Sequence, residues 1–225
     1  MAALFVWERG ATAAIVLDDP QLWTNAPSVE GWQTTTDDAT IDNPGTGGAD
    51  GAGDGFLRIT FDEIGFPMNQ EDTLYSAGDG QTGSYQIAKL ALGFDFYAAD
   101  TLPGSAIVYM HSAVSDSTWE YMFDVAVNGW TRQAVPIDWD SGGSNWVGWG
   151  GETEFASDLE SIDWIGVSVA RRLSDPSEQI YGLDNWEYFQ IPEPGTVVML
   201  TVTLLSLTAT LRKQIRRKPE DSAAA

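Results

Sequence analysis

Apolar side chains recur at every second position along much of this chain, and that period is the strongest constraint on its fold. In residues 90–96 every even-numbered residue is Leu or Phe, whereas the residues between them are Ala, Gly and Asp. Residues 165–169 alternate Ile or Val with Gly or Ser in the same way. Because successive side chains of a strand face opposite sides of a sheet, this period indicates β-strands. Similar short runs predict strands at 56–61, 106–111, 121–127 and 134–139.

Clusters of Gly, Asn, Asp and Pro separate these runs, as tight turns require. Only residues 154–161 suggest a turn of helix, so strands and helices do not alternate along the chain. Many short strands without such alternation predict an all-β domain over residues 15–190, an antiparallel β-sandwich of the jelly-roll kind. A domain of this length is large enough to bury a substantial core.

A second signal lies at the C-terminal end, where residues 196–211 contain no charge, no Gly and no Pro. As a helix, these sixteen residues extend about 24 Å, close to the roughly 30 Å of a bilayer core. The segment has no polar face for water, which argues against a C-terminal helix buried on the globular domain. It therefore predicts a single C-terminal transmembrane helix. Five of the chain's eleven basic residues follow, and they place this end in the cytoplasm and the body outside: Arg212, Lys213, Arg216, Arg217 and Lys218.

Just before the apolar segment stands the tripeptide Pro192, Glu193 and Pro194. The order of tripeptide, apolar helix and basic cluster over residues 191–218 resembles the PEP-CTERM sorting signal. The resemblance implies an inner-membrane anchor in a Gram-negative bacterium, recognition by an exosortase-type membrane protease, and release towards the cell surface or the exopolysaccharide matrix. Residues 219–225 make the tail slightly longer than that pattern usually is.

Residues 1–14 only partly match a signal peptide. A small-residue cleavage site is present in Ala11, Thr12 and Ala13, but the apolar stretch is short and is interrupted by Glu8 and Arg9. We interpret this segment as a degenerate or truncated signal-peptide remnant. The alternative is an irregular arm or a first strand.

Charge restricts the partners of the body. Residues 1–195 hold 31 of the 33 acidic residues and 6 of the 11 basic ones, a formal charge of −25. Such a domain does not attract nucleic acid or anionic lipid, but it attracts cations. The alternative is that the acidity only maintains solubility. The chain has no cysteine, which excludes disulfides and thiolate metal sites.

Residues 15–190 also resemble the jelly-roll domains of carbohydrate-binding modules, on two segments. These are residues 15–20, read as the first strand, and residues 180–187, read as the last. The resemblance implies that the first and last strands lie near each other. It also implies that oxygen ligands from their ends, with an Asp at the position of Asp184, hold a structural Ca²⁺.

The residues themselves offer a candidate Ca²⁺ site. Residues 43–55 form a loop, with seven Gly or Pro in thirteen positions, in which backbone carbonyls can turn inward. Ca²⁺ takes six to eight oxygen ligands, many of them carboxylates. The alternative is an ordinary Asp/Gly turn with solvated side chains. The candidate ligands are Asp18, Asp19, Asp50, Asp54 and Asp184.

Three tryptophans, Trp139, Trp146 and Trp149, stand within a Gly-rich segment. Indole faces stack on the apolar faces of sugar rings, and nearby polar groups bind the hydroxyls. The three therefore form a candidate glycan-stacking surface, with Trp130 as a weaker candidate. The alternative is that the rings fill the core, and this surface requires at least one ring to be exposed.

Catalysis finds little support in the sequence. His111 is the only histidine, and its neighbour Ser112 faces the other side of a strand, so the two do not form a base and nucleophile. No phosphate-binding loop or zinc-protease motif occurs. The sequence thus predicts a surface-sorted, non-enzymatic protein that binds glycan, exopolysaccharide or other envelope matrix. The alternatives are a secreted glycan-active enzyme on the same fold and a purely structural matrix protein.

Overall fold

The computed structural model describes residue 17 and residues 21–64, 70–77, 81–125, 128–139 and 145–191. Contacts divide the chain into two units, Met1–Gln190 and Ile191–Ala225, and nearly all described residues belong to the first. The proposed signal remnant (1–14), the sorting motif (192–194), the apolar segment (196–211) and the basic cluster lie outside the described residues. Within the described part, no helix has the length and apolarity needed to cross a membrane.

The first unit is an antiparallel sandwich of two sheets. One sheet has six strands in the order β1-β4-β10-β6-β7-β9. Its strands are β1 (Gln33–Thr34), β4 (Glu71–Ser76), β10 (Ile162–Ala170), β6 (Ser105–Ser112), β7 (Ser117–Met122) and β9 (Trp146–Val147). The other sheet has five strands in the order β2-β3-β11-β5-β8. These are β2 (Thr40–Asp42), β3 (Leu57–Phe61), β11 (Gln179–Gln190), β5 (Leu90–Ala98) and β8 (Gly129–Pro136), and the helix is α1 (Glu152–Asp158).

The core lies between the two sheets and follows the period-two pattern. Every second side chain of β5, from Leu90 to Phe96, is completely buried, as are Ile165, Val167 and Val169 of β10. Aromatic rings join the two layers, for example Phe94 of β5 and Phe123, just after β7, with ring centroids 5.2 Å apart. Each fully buried large apolar side chain contributes about 1.5–3 kcal/mol through removal from water. The predicted antiparallel sandwich is confirmed.

Strands whose apolar pattern is strong lie close to their predicted positions, namely β3, β5, β6, β10 and β11. The predicted strand 121–127 is wrong in its bounds, because β7 begins at Ser117 and ends at Met122. Strand β4 was not predicted, since Leu74 is its only aliphatic residue. Its inward-facing Asp72 is fully buried and accepts the backbone N–H groups of Thr35, Thr36 and Ala39. A buried carboxylate with N–H partners thus occupies a core position that is usually apolar, so the alternating apolar pattern is missing from this strand.

Strand β11 carries an irregularity that shapes the five-stranded sheet. Its register against β5 shifts between Asp184 and Glu187, and Asn185 has a positive φ of 51°. Trp186 pairs with Gln21 instead, through N–H···O bonds of 2.8 and 3.2 Å. The inserted residue is a β-bulge, which bends the strand. Because of the bulge, the side chains of Asp184 and Glu187 lie on the same face of the sheet. They pair with Asp95 and Gly93 of β5, and this face is turned away from the core.

Candidate functional site

The outer face of the five-stranded sheet is the face turned away from the core, and three of its aromatic rings pack together. Tyr97 of β5 and Trp130 of β8 are cross-strand partners, with ring centroids 5.1 Å apart. Phe56, just before β3, packs edge-on against Trp130 at 5.3 Å. We call Phe56, Tyr97 and Trp130 the aromatic layer.

The aromatic layer lies directly on the sheet because the strand beneath it has a glycine, which carries no side chain, at the point of contact. Gly182 of β11 stands opposite Tyr97, and a Cβ there would lie 2.7 Å from the Phe56 ring and 3.3 Å from that of Trp130. The Trp130 ring therefore reaches from β8 across β5 to β11. Its N–H donates to the carbonyl of Gly47 at 3.2 Å, which fixes its orientation. Trp130 is half-buried, so part of this held indole faces solvent.

A polar network adjoins the aromatic layer on the same face. The Arg132 guanidinium donates to Asp95 at 3.3 Å, to the Asn185 carbonyl at 3.1 Å and to the Glu187 carboxylate. The Asn185 amide also donates to Asp95, at 2.9 Å. The side chain of Arg132 crosses Gly93, where a Cβ would lie 2.5 Å from the guanidinium. Donors and acceptors are thus fixed beside exposed aromatic surface, the combination that sugar sites use.

Next to this network, the 43–55 loop meets β11 at two carboxylates. Asp184 is fully buried and accepts the N–H groups of Ala49 and Asn185, both at 2.8 Å. Asp54 accepts the N–H of Asp50 at 3.1 Å. A Cβ on Gly48 would lie 2.3 Å from Asp54 Oδ2, 2.5 Å from the Gly55 carbonyl and 2.7 Å from Asp184 Oδ2. Three oxygens therefore pack closely against the Cα of Gly48, and only glycine fits at this position.

The electrostatics of this pair favour a compensating positive charge. Burial raises the pKa of Asp184 to about 7, the two N–H donors oppose that rise, and the nearby Asp54 carboxylate adds to it. Two carboxylates this close share a proton, or are ionised together when a cation lies between them.

The predicted Ca²⁺ ligands are thus brought together only in part. Asp54 and Asp184 meet, whereas Asp50 reaches Asp54 through its backbone N–H, and Asp18 and Asp19 lie outside the described residues. Within the described part of the chain, no three acidic or histidine side chains cluster as metal ligands. Two carboxylates and a carbonyl are nevertheless the oxygen donors that Ca²⁺ prefers, and they fit it as a partial ligand set.

The three predicted stacking tryptophans do not share one surface. Trp146 is 2% exposed, and Trp139 packs against Trp119 and Phe155 at 6.0 and 5.8 Å. Only Trp149 is exposed, at 56%. Trp149 meets the condition of at least one exposed ring, whereas the other two rings are turned towards the core and do not share its surface.

His111 and Ser112 face opposite sides of β6, as predicted. The His111 ring contacts Asp163 at 2.6 Å and stacks on Trp164, whereas the Ser112 hydroxyl donates to Asp158 in the interior. The two side chains do not form a nucleophile and base.

Sequence reasoning missed most of the outer face, including Tyr97, Arg132 and Glu187. One signal for it is present, however. Glycine inside a strand marks a place where another group approaches the backbone closely. The Arg132 guanidinium approaches Gly93 in this way, and the Phe56 and Trp130 rings approach Gly182.

No protein-family model matches the chain, and no curated protein matches it. Solved structures do share its fold. An exo-β-agarase is similar with a TM-score of 0.56 at 13% identity over 77% of this chain, and this chain covers 26% of the agarase. A family 11 carbohydrate-binding module of a cellulosomal cellulase of Clostridium thermocellum has a TM-score of 0.51 at 13% identity, covering 80% of this chain and 98% of the module. A family 11 carbohydrate-binding module from Clostridium thermocellum in complex with a β-1,3-1,4-mixed-linked tetrasaccharide has a TM-score of 0.50, also at 13% identity, with coverages of 80% and 99%.

Proposed function

We propose that this chain is a carbohydrate-binding β-sandwich that holds a polysaccharide on the outer face of its five-stranded sheet. The observation that carries the proposal is the aromatic layer, with its half-buried Trp130, directly beside the polar network of Arg132. Similarity in fold to carbohydrate-binding modules supports it.

The proposed chemistry divides between the two parts of the face. The apolar side of a sugar ring stacks on Trp130, which offers a flat surface at small entropic cost because its N–H is already held. Hydroxyl groups of the next sugar unit donate to Asp95 or Glu187 and accept from Arg132 or Asn185. These groups already satisfy one another, so the face is preorganised and stays so without ligand.

The test is to replace Trp130 with Ala and measure retention in gels containing mixed-linked β-glucan or agarose. We expect retention to fall strongly, whereas the urea midpoint should fall no further than in the control variant. Trp164→Ala is the matched control, because Trp164 is also half-buried but lies on the outer face of the other sheet. Unchanged retention of Trp130→Ala in a polysaccharide that holds the wild type would rule out this face.

The same assays separate binding from the two alternative functions. Release of reducing sugar from these polysaccharides would indicate a glycan-active enzyme. Absence of both retention and release would leave a structural matrix protein. Binding without catalysis is favoured because the family 11 modules match over 98–99% of their length, whereas only 26% of the agarase does.

We also propose that Asp54 and Asp184 hold a structural Ca²⁺. The ion supplies positive charge to a carboxylate pair whose mutual repulsion and burial otherwise oppose ionisation. It would tie the 43–55 loop to β11, next to the polar network.

For localisation we propose export and sorting through the C-terminal tail, with Pro192, Glu193 and Pro194 as the recognition motif of an exosortase-type protease. The order of motif, apolar segment and basic cluster supports this proposal. The body then associates with the exopolysaccharide or envelope matrix that its outer face binds.

A further inference from the structure

Trp149 combines an exposed ring with a buried anchor. Its N–H donates at 2.9 Å to Asp158, whose residue is only 1% exposed. The same carboxylate oxygen accepts the Trp119 N–H at 2.8 Å and the Ser115 hydroxyl at 2.9 Å. The indole of Trp149 is therefore fixed in position, although more than half of its surface faces solvent.

The backbone on both sides of Trp149 is also held. A Cβ on Gly148 would lie 2.3 Å from the Trp119 ring, and one on Gly150 would lie 2.6 Å from the side chain of Glu154. Glu154 in turn accepts the N–H of Gly151 at 2.9 Å. The two glycines let the loop pack directly on its neighbours, so the exposed ring is presented by a preorganised segment.

The surroundings of Trp149 suit an uncharged ligand with hydroxyl groups. Residues 112–122 and 145–160, which form this end of the sheet, contain no Lys or Arg. The carboxylate of Glu154 lies beside Gly150 and Gly151, in the loop of Trp149, and ionised carboxylates only accept hydrogen bonds. Sugar hydroxyl groups can donate hydrogen bonds to this carboxylate, whereas its negative charge repels anionic polymers.

Trp149 is well separated from the aromatic layer. Trp130 lies near the start of β8, on the five-stranded sheet. The loop of Trp149 is tied to the end of β8, because the Trp146 N–H donates to the Pro136 carbonyl at 2.8 Å. Six residues of strand separate Trp130 from Pro136, which is about 20 Å. One sugar unit cannot contact both rings.

We infer that Trp149 is a second, independent stacking site for a pyranose ring of a neutral polysaccharide, and that the domain is bivalent. The ligand class rests on the proposed function, but the site itself rests on the geometry of Trp149 and Asp158. A bivalent domain crosslinks polysaccharide chains or binds one long chain with avidity.

The experiment uses the full chain and soluble mixed-linked β-glucan, with light scattering as the readout of crosslinking. We expect the wild type to raise the scattering and Trp149→Ala not to do so. Avidity commonly amounts to a factor of 10²–10⁴. Trp149→Ala should therefore lose on the order of 100-fold in apparent affinity for the polymer, yet bind the tetrasaccharide through Trp130 as before.

Two further variants keep the result interpretable. Met122→Ala removes another exposed side chain of the same sheet, 64% exposed, and should crosslink like the wild type. Trp149→Phe retains a ring without the N–H and should recover part of the crosslinking. Urea midpoints show whether each variant is folded.

The outcomes separate this inference from the proposed function. Wild-type crosslinking by folded Trp149→Ala overturns the second site and leaves the outer face intact. Loss of all binding in Trp149→Ala, with none lost in Trp130→Ala, overturns the outer face and leaves Trp149 as the site. Absence of wild-type binding to both β-glucan and agarose overturns both.

Discussion

Buried carboxylates in this molecule differ in how they are compensated. Asp72 of β4 accepts several N–H groups from residues 35–39, which ties that loop to the sheet. Asp158, at the end of α1, accepts donors from β6, β7 and the loop of Trp149, which ties the helix to strands of the same sheet. Asp184 accepts two N–H donors but also faces Asp54, and its pKa is raised to about 7. The pKa of a fully solvated Asp is near 4, so the raised pKa of Asp184 marks a site that favours a cation.

At the scale of single residues, Asp158 stabilises the fold through its ionised carboxylate. Burial opposes its ionisation, but hydrogen bonds from Trp119, Trp149, Ser115 and Ser112 outweigh burial and lower its pKa. A lowered pKa in the folded state means that the charge stabilises the fold above pH 4 and that this stability is lost as the pH falls. We expect Asp158→Ala to cost about 3 kcal/mol near neutral pH, because the Trp119 N–H loses its buried acceptor.

The measurement is urea unfolding between pH 3 and pH 7. The difference in unfolding free energy between wild type and Asp158→Ala should shrink towards the acid end. A difference that stays constant over this range would show that the ionised carboxylate is not the stabilising species.

At the scale of elements, the 43–55 loop and the bulge of β11 act as one unit. The loop supplies Asp54 and the Gly55 carbonyl, and the strand supplies Asp184 at the point where its register shifts. Trp130 also bonds to this loop through Gly47. A cation between loop and strand would consequently stabilise the floor of the proposed glycan face.

We expect Ca²⁺ to raise the unfolding free energy by about 2.7 kcal/mol at a hundredfold excess over its Kd. Asp184→Asn should abolish this increase, because the amide carries no charge. Thermal melting in Ca²⁺ and in EDTA, at matched ionic strength, measures the effect. Asp116→Asn is the charge-matched control, since Asp116 is almost fully exposed, and it should respond like the wild type. Equal melting temperatures in Ca²⁺ and EDTA would contradict the metal proposal.

At the scale of the whole molecule, the body carries a formal charge of −25 over residues 1–195, and the basic residues are concentrated near the C-terminus. Such a body repels anionic polymers. A neutral polysaccharide matrix meets no such repulsion. The charge distribution thus agrees with the two aromatic sites proposed above.

The sorting proposal makes a prediction at the same scale. Replacing Pro192, Glu193 and Pro194 together with Ala should leave full-length protein in the membrane, because the protease loses its recognition motif. Mass spectrometry of the protein from an exosortase-containing host measures the processed form. An identical mature mass with and without the substitution would exclude processing at this motif.

The period-two pattern by itself determined the strongly apolar strands and which of their side chains enter the core. Side-chain direction along a strand is a local property, so Leu90 to Phe96 and Ile165 to Val169 reveal their buried faces without knowledge of their partners. Weakly apolar strands such as β4 escaped, because their stability comes from pairing and from Asp72 rather than from their own pattern.

Only the tertiary structure decided which outward residues meet. Asp54 and Asp184 are 130 positions apart, and their contact depends on the loop that folds onto β11. Trp130 acquires its place from two neighbouring strands and from Gly182. Among Trp139, Trp146 and Trp149, which share one local context, packing with Trp119, Phe155 and Pro136 left only Trp149 exposed. Strand pairing and loop packing bring together residues that are far apart in the sequence. The local alternation that reveals the core therefore does not determine which residues form the candidate binding sites.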